Sequence, residues 1–492
     1  MAKTETELKG RLAAVVGEAN VSDDPTLLSS FREAGAVTGG EPLLVVRPSS
    51  AAEVRELVKL ARSEGLNLVF TSSAPPRLRG DSVPVGEGIM VDMSGMDRIV
   101  RLDRRNKVAL IEPGVTFERL IPEADAVGLK VLLPLLPRRG KSVLASMLER
   151  EPILIPKYHW DMTDPLLCTE LVFGTGDLFR TGSAAGPGSL EQQWAAGGAQ
   201  KNPMGPAQTD FVRVVQGSQG TMAAVTWCSV KLEVKPSLHR IYFVPDAKLS
   251  RLVDFTYRAL RPKLGDEWLI LDARQLATII AEDAAQVDEL AAAQAPWTVV
   301  YGVSGYEYLP AERVAYQEHD LAAHAQAAGV YAVPEVPGCS ARRMEKILAS
   351  PSSEPYYKGV PRGGFSDIFF LTTLDRASHF ISVMRAEAER AGWPAGEIGT
   401  YIQPIQQGRN VHLEFTLYHD PEDARAKELF SSASAALSQA GAFFSRPYGP
   451  WAELAYARCP DTVAALRKVK AMLDPDNVLN RGKLCFAPEE VV

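Results

Sequence analysis

The chain has 492 residues, 46% of them apolar and 23% charged, enough to bury a large core and to divide into roughly two or three structural units. A formal net charge of −7, with no long lysine- and arginine-rich run, argues against nucleic acid or anionic lipid as a partner. The five cysteines, Cys168, Cys228, Cys339, Cys459 and Cys485, are widely spaced and form no CxxC pair, so they read as reduced thiols and not as a zinc or iron–sulfur site. Residues 1–20 are charged and helix-like, and no stretch of about 18 apolar residues is present, so the expected location is the cytoplasm without a membrane span.

In chain order, LLVVRP (43–48) reads as a strand. The following segment carries a capping box from Ser50 to Glu53, apolar Val54, Leu57, Val58 and Ala61 at helical spacing, and Gly65 as a stop. LNLVFT (66–71) is strand-like again, which completes a strand–helix–strand unit. Strand-like runs begin at Gly88, Arg98 and Lys107, and FERLIPEADAVG (117–128) reads as a helix. LLCTELVFGTGDLFRTG (166–182) predicts a hairpin turning at Gly174 to Asp177, and TMAAVTWCSVKLEVKP ends this region at Pro236. From about residue 240 to 440, strands such as HRIYFVP and VHLEFTLY alternate with alanine-rich helices, the mix of a sheet covered by helices. Residues 183–210 and 334–365 read as loops around a site. Near the end, Val463, Leu466, Val469 and Leu473 share a helical face ahead of a turn from Asp474 to Asn477.

Several segments could carry chemistry. TSSAPPRLRGDSVP (71–84) follows a strand; its small residues allow backbone amides to approach a pyrophosphate, with Arg77 and Arg79 as charged donors, although read alone the segment fits a proline-rich surface loop better. It is no GxGxxG, and nothing else suggests a nicotinamide site. IEPGVTFERL (111–120) breaks a strand at Pro113 and Gly114 directly before a helix. RRGKSVLASMLEREPILIPKYHW (138–160) has a polar, glycine-containing entry and ends in Tyr158, His159 and Trp160, either core packing or ligand contacts. In QGSQGTMAAVT (216–226), Gly217 and Gly220 bracket small residues in a turn able to wrap a ligand, and DPDNVLNRGKL closes the chain.

In this order, the segments resemble the flavoproteins typified by vanillyl-alcohol oxidase and p-cresol methylhydroxylase (PCMH), part of a wider family that includes D-lactate and glycolate dehydrogenases. The likeness runs through APPRLRGD, EPGVTFERL, KSVLASMLER, GTGDLFRTG, QGSQGTMAAVT and LDPDNVLNRGKL, most of the chain. It implies an α+β fold: a two-part PCMH-type FAD-binding domain over 1–240, a cap domain over 241–440 with an antiparallel sheet covered by helices, and a segment 441–492 returning to the first domain. It also implies FAD as cofactor, held by Ser73, Ala74, Pro76, Arg77, Pro113, Gly114, Ser142, Val143, Ser146, Glu149, His159, Gly217, Gly220, Thr221, Asn480 and Lys483.

APPRLRGD lacks the glycines of the hydroxy-acid dehydrogenases, which leans the resemblance toward the phenol oxidisers. It then implies a small para-substituted phenol as substrate, Arg446 and Tyr448 in SRPYG as the phenolate-holding pair, and Tyr158 and His412 as proton relays. Of the histidines that hold metal in hydroxy-acid enzymes only His412 is kept, so no metal is expected. Asp367 stands where the family has a flavin-bonding histidine, so the FAD is expected to be non-covalent. KYHW replaces a GDHW-like stretch, which leaves the acid–base group open between Tyr158 and nearby residues such as Asp161. The family further implies a homodimer or larger assembly and leaves the electron acceptor, oxygen or a redox protein, undefined. Two rivals stand: a 2-hydroxy-acid dehydrogenase in which Arg446 grips a carboxylate, and a flavin-free scaffold in which Pro75 and Pro76 block the cofactor loop.

Overall fold

Strands β1 (Val21–Ser22), β2 (Glu41–Val46), β3 (Leu68–Thr71) and β4 (Glu87–Asp92) join in the order β1-β2-β4-β3, with β2 and β3 both parallel to β4. This is the computed structural model of the chain, and it describes residues 5–35, 37–158, 164–205 and 210–487. The helix Ala51–Glu64 links β2 to β3 and buries Val54, Leu57, Val58 and Ala61 against the sheet, as its apolar spacing requires. Ser50 Oγ accepts from Glu53 N at 3.3 Å, and Gly65 ends the helix at φ 68°. The return bond of the expected capping box lands one residue earlier: the Glu53 carboxylate accepts from Ser49 N and Ser49 Oγ, because Ser49 offers two donors where Ser50 would offer one.

The second sheet is antiparallel. It comprises β5 (Ile99–Asp103), β6 (Val108–Ile111), β7 (Leu129–Val131), β8 (Leu166–Phe173), β9 (Leu178–Arg180) and β10 (Ala223–Val234), in the order β9-β8-β10-β6-β5 with β7 also on β10. The β8–β9 hairpin turns where the sequence predicts, pairing Val172 with Leu178. After β6 the chain passes so close to the preceding loop that a Cβ on Gly114 would collide with the Ser94 carbonyl, which is why the EPG junction needs glycine.

The third sheet has six antiparallel strands, β11 (Leu238–Asp246), β12 (Trp268–Asp272), β13 (Trp297–Gly305), β14 (Gly364–Thr372), β15 (Ile398–Ile405) and β16 (Asn410–His419), in the order β11-β13-β12-β15-β16-β14. Strand alternation splits its residues between two cores. Ile270 and Val299 join Phe255, Leu321, Phe380 and Leu429 of the covering helices, whereas Leu269, Leu271 and Val300 meet Leu135, Leu136 and Leu154 from the first half of the chain. The second face is therefore pressed against the loops that follow β7 together with the helices Ala273–Ile280 and Ala341–Leu348. Among the described residues no helix is long and apolar enough to cross a membrane.

Two stretches expected as loops contain short elements, the helices Leu190–Ala195 and Ala341–Leu348. Each is started by a serine cap, Ser189 with Gln192 and Ser340 with Arg343, a local signal outweighed in the sequence by neighbouring glycines and prolines.

The helix Pro460–Leu473 packs Val463, Leu466, Val469 and Leu473 on the core of the second sheet, and the tail then lies along the free edge of β3, with Leu68 N donating to Val478 O and Asn480 N to Leu68 O. Asp474 makes the turn between them. Its carboxylate accepts from Val478 N and Leu479 N and pairs with buried Lys470, whose ammonium also donates to the carbonyls of Thr221 and Leu479. Asp474→Ala strands that ammonium in the core, so the unfolding free energy in urea is expected to fall by about 3–5 kcal/mol.

Candidate active site

Three loops from separate parts of the sequence are stitched together at the ends of the first two sheets. Ala74 N donates to Gly140 O at 2.9 Å, Ser142 N to Ser73 Oγ at 3.1 Å, and Ser142 Oγ to Pro113 O at 2.6 Å. The tail completes the frame: Asn480 Nδ2 donates to the carbonyls of Asp81 and Gln219, and Lys483 Nζ to that of Gly80. Gly217 and Gly220 turn the chain at φ 72° and 71°, left-handed conformations that favour glycine, and a Cβ on Gly217 would collide with the Arg150 guanidinium.

These loops surround a cavity of about 1290 Å³, its open mouth included, with Tyr356 and Tyr448 from the later part of the chain also on its wall. Of the residues anticipated from the sequence, Ser73, Arg77, Pro113, Glu149, Gly217, Gly220 and Tyr448 line it. Gly114, Ser142, Val143, Ser146, Thr221, Asn480 and Lys483 stand behind the wall; there Ser142 and Asn480 fix the loops as described, and Ser146 Oγ donates to Glu151. Ala74 and Pro76 are exposed and off the wall, as is Pro75, so the prolines leave the cavity open. His159, like Asp161, lies outside the described residues. Tyr158 is not brought to the wall: it is buried in the core of the second sheet, with the Lys157 and Lys231 ammonium groups 4.7 and 5.5 Å from its ring centre.

Arg138, Lys141 and Glu151 also line the cavity and were not anticipated, and Arg79, expected with Arg77 as a charged donor, lines it too. Lys141 bridges Glu149 at 2.6 Å and Glu151 at 3.6 Å. Burial, reinforced by Glu151 against the pull of Lys141, lifts Glu149 to about 7, whereas Lys141 and Arg79 outweigh burial at Glu151 and hold it near 2. Glu149 Oε2 has no hydrogen-bond partner among the described residues.

The polar face of the third sheet adds a chain of alternating charges. Arg79 lies 3.6 Å from Asp367, Lys358 Nζ donates to Asp367 at 2.8 Å and Glu414 at 2.6 Å, Glu414 Oε2 is 3.4 Å from His412 Nε2, and Arg446 donates to His412 Nδ1 at 3.3 Å. Burial carries His412 down to about 4, only partly opposed by Glu414, so the ring is neutral at pH 7 and its Nε2–H faces Glu414. Both ring nitrogens are thus engaged by side chains. The Arg79 and Arg446 guanidinium groups come 4.6 and 4.2 Å from the Phe369 ring centre. Arg446 is 5% exposed and stands behind Phe369 and Tyr448, off the cavity wall itself.

Residues 42–146 match the family described as FAD binding domain, and residues 372–484 that described as FAD linked oxidases, C-terminal domain. The fold superposes on p-cresol methylhydroxylase with substrate bound at a TM-score of 0.84, with 16% identity over 100% of this chain and 99% of that one. The chain thus carries the FAD-binding and C-terminal domains of FAD-linked oxidases on a fold similar to that of p-cresol methylhydroxylase. A 4-ethylphenol oxidase from Gulosibacter chungangensis in complex with isoeugenol is similar at a TM-score of 0.80, with 17% identity and 99% and 98% of the two chains covered. An uncharacterized FAD-linked oxidoreductase of Mycobacterium tuberculosis is 23% identical over 97% of this chain and 98% of its own length. The glycolate oxidase subunit GlcD of Bacillus subtilis is 22% identical over 97% and 96%.

FAD is therefore the cofactor, and the cavity fits it: four cations, Arg77, Arg79, Arg138 and Lys141, line a space framed by side-chain-free turns, with the unpartnered Glu149 Oε2 among them. A carboxyl raised to about 7 is neutral below that pH and an added negative charge above it. FAD affinity is accordingly expected to hold at pH 6 and to weaken about fivefold by pH 8.5 in a fluorescence titration. Glu149→Gln should remove the step near 7. Lys483, lowered by burial to about 8, would leave a smaller one above it.

Proposed function

We propose that the chain oxidises a para-substituted phenol at its benzylic carbon, with Arg446 and Tyr448 holding the phenolate oxygen. The observation that carries this reading is the state of Arg446: a buried guanidinium among aromatic rings, whose one hydrogen bond among the described residues runs to a neutral imidazole. A buried cation without an anionic hydrogen-bond partner is poised for an anionic ligand. The Tyr448 phenol, raised by burial well above the usual range, stays protonated and can donate to the same oxygen. Together they lower the pKa of a bound phenol and favour electron release toward the benzylic carbon, leaving a quinone-methide-like product for water to resolve. FAD, when bound, supplies the two-electron acceptor. The phenol named in both structural neighbours supports the reading.

The FAD in this reading is non-covalent, because Asp367 offers a carboxylate engaged by Lys358, Thr416 and Arg79. The protein acts as a homodimer or larger assembly in the cytoplasm, with residues 1–240 and 441–492 holding the cofactor, 241–440 closing over the substrate, and oxygen or a redox protein taking the electrons. A 2-hydroxy-acid substrate is the second reading, favoured by the approach of two guanidinium groups, Arg79 and Arg446, to one ring, which suits a carboxylate. Anaerobic additions of 4-hydroxybenzyl alcohol, vanillyl alcohol and D-lactate to the yellow protein decide between them. Bleaching by the phenols supports the first reading, and bleaching by lactate alone overturns it. Colour retained in an acid pellet would contradict non-covalent binding.

A further inference from the structure

A second cavity, of about 980 Å³ with its mouth included, shares the walls formed by Leu78, Arg79 and Tyr448 with the flavin cavity. Its remaining walls differ in character. Val37 comes from the N-terminal segment, Phe365 and Phe369 from β14, Phe430 from the helix Arg425–Gln439, and Trp451 from the helix that follows SRPYG. The polar groups on it are already occupied: Asp367 by Lys358 and Thr416, and the His419 ring between Ser366 Oγ at 3.1 Å and the Asp420 carbonyl at 2.8 Å. What is left to meet a ligand is chiefly hydrocarbon and aromatic face.

We propose that this second cavity binds an apolar tail of the substrate whose polar head is held at Arg446 and Tyr448, so that the natural substrate is an amphipathic molecule with an alkyl or aryl extension. The inference rests on the reading above for where the head lies. The shared wall carries the argument: Leu78, Arg79 and Tyr448 face both cavities, so a molecule touching Tyr448 from the first lies only those side chains away from the second. A small polar substrate has no use for an aromatic chamber there, whereas a tail gains from each methylene it withdraws from water.

Calorimetric titration of the FAD-loaded protein with two series, 4-alkylphenols and 2-hydroxyalkanoates from two to eight carbons, tests the tail and the head separately. The expected result is a Kd that falls about fourfold per added methylene in at least one series, the ratio that corresponds to roughly 0.8 kcal/mol per buried CH2. Val37→Trp and Ser366→Phe, which fill the chamber from opposite sources, should weaken the longest member at least tenfold and leave the shortest within twofold. An affinity independent of chain length in both series overturns the proposal, as does a length dependence that both filled variants preserve. If a filled variant does not fold, the wild-type series still decides. Whether the phenols or the hydroxy acids bleach the flavin is read in the same samples, so loss of the head-group assignment and loss of the tail site are distinguishable.

Discussion

Lys358→Met is expected to destabilise the protein by about 3–5 kcal/mol at pH 8, and by much less at pH 5.5. Lys358 is 3% exposed and bridges two buried carboxylates, Asp367 on β14 and Glu414 on β16. Burial pulls its own pKa down, but the two carboxylates outweigh burial and hold the ammonium above the ordinary lysine range. Glu414 shows the reciprocal effect: burial raises it, Lys358 and then His412 overcome that, and it stays well below the usual carboxylate range. In the wild type this depressed group contributes stability above the unfolded pKa of about 4.3, lost as pH falls. Methionine reverses the sign. Glu414, now buried without its cation, has a folded pKa above the unfolded one, so the variant is most stable when that carboxyl is protonated and loses stability as pH rises through its new pKa. Urea unfolding at the two pH values measures the difference. Lys358→Met combined with Glu414→Gln should recover about half of the loss at pH 8, and a double variant no better than the single one would remove the pair from the account.

The two parts of the molecule were not equally legible in the sequence. The first βαβ unit, the hairpin at 174–177 and the closing helix could be read because their signals are local: cap, apolar spacing and glycine stop in the first helix, glycines at the hairpin turn, and a single apolar face in the closing helix. The loops that frame the first cavity could be read as a set, since their glycines and small residues mark turns before strands or helices. The cations that line the cavity were harder. Arg138 and Lys141 flank a glycine turn that offers only a polar entry to the eye, and Glu151 acquires its role from Lys141 and Ser146 in the folded state.

The charge chain left a trace that points the wrong way. In VHLEFTLY, His412, Glu414 and Thr416 alternate with Val411, Leu413, Phe415 and Leu417, the pattern of a strand with one wet face. All of these residues are buried, because the polar face turns inward and finds its partners, Lys358 and Asp367, on other segments. Only the pairing of β14 with β16, which sets Asp367 opposite Thr416, brings the chain of charges together, and strand pairing is not contained in either segment alone.

Arg446→Met is expected to lower kcat/KM for the phenol by a factor of about 10² to 10³ while leaving the protein as stable as the wild type or more so, by roughly 1 kcal/mol. The two halves of this expectation share one cause. Burial depresses the Arg446 pKa, with Tyr448 opposing and Arg79 adding to the effect. A cation whose folded pKa lies below its unfolded value opposes folding at every pH where it stays charged, so an apolar side chain of similar length relieves a cost that only substrate can repay. Thermal unfolding of the two proteins without substrate checks the first half. The second is sharpened by pH. If Arg446 lowers the pKa of the bound phenol, the acid limb of the kcat profile, which reports the enzyme–substrate complex, lies below the ordinary phenol value of about 10 in the wild type and moves toward it in the variant. Arg446→Lys, which keeps the charge but loses the forked donor, should retain the position of the limb and lose part of the rate. A variant that loses stability, or whose limb stays where the wild type has it, would mean that the guanidinium is a structural member of the His412–Glu414–Lys358 chain and that the phenolate is held elsewhere.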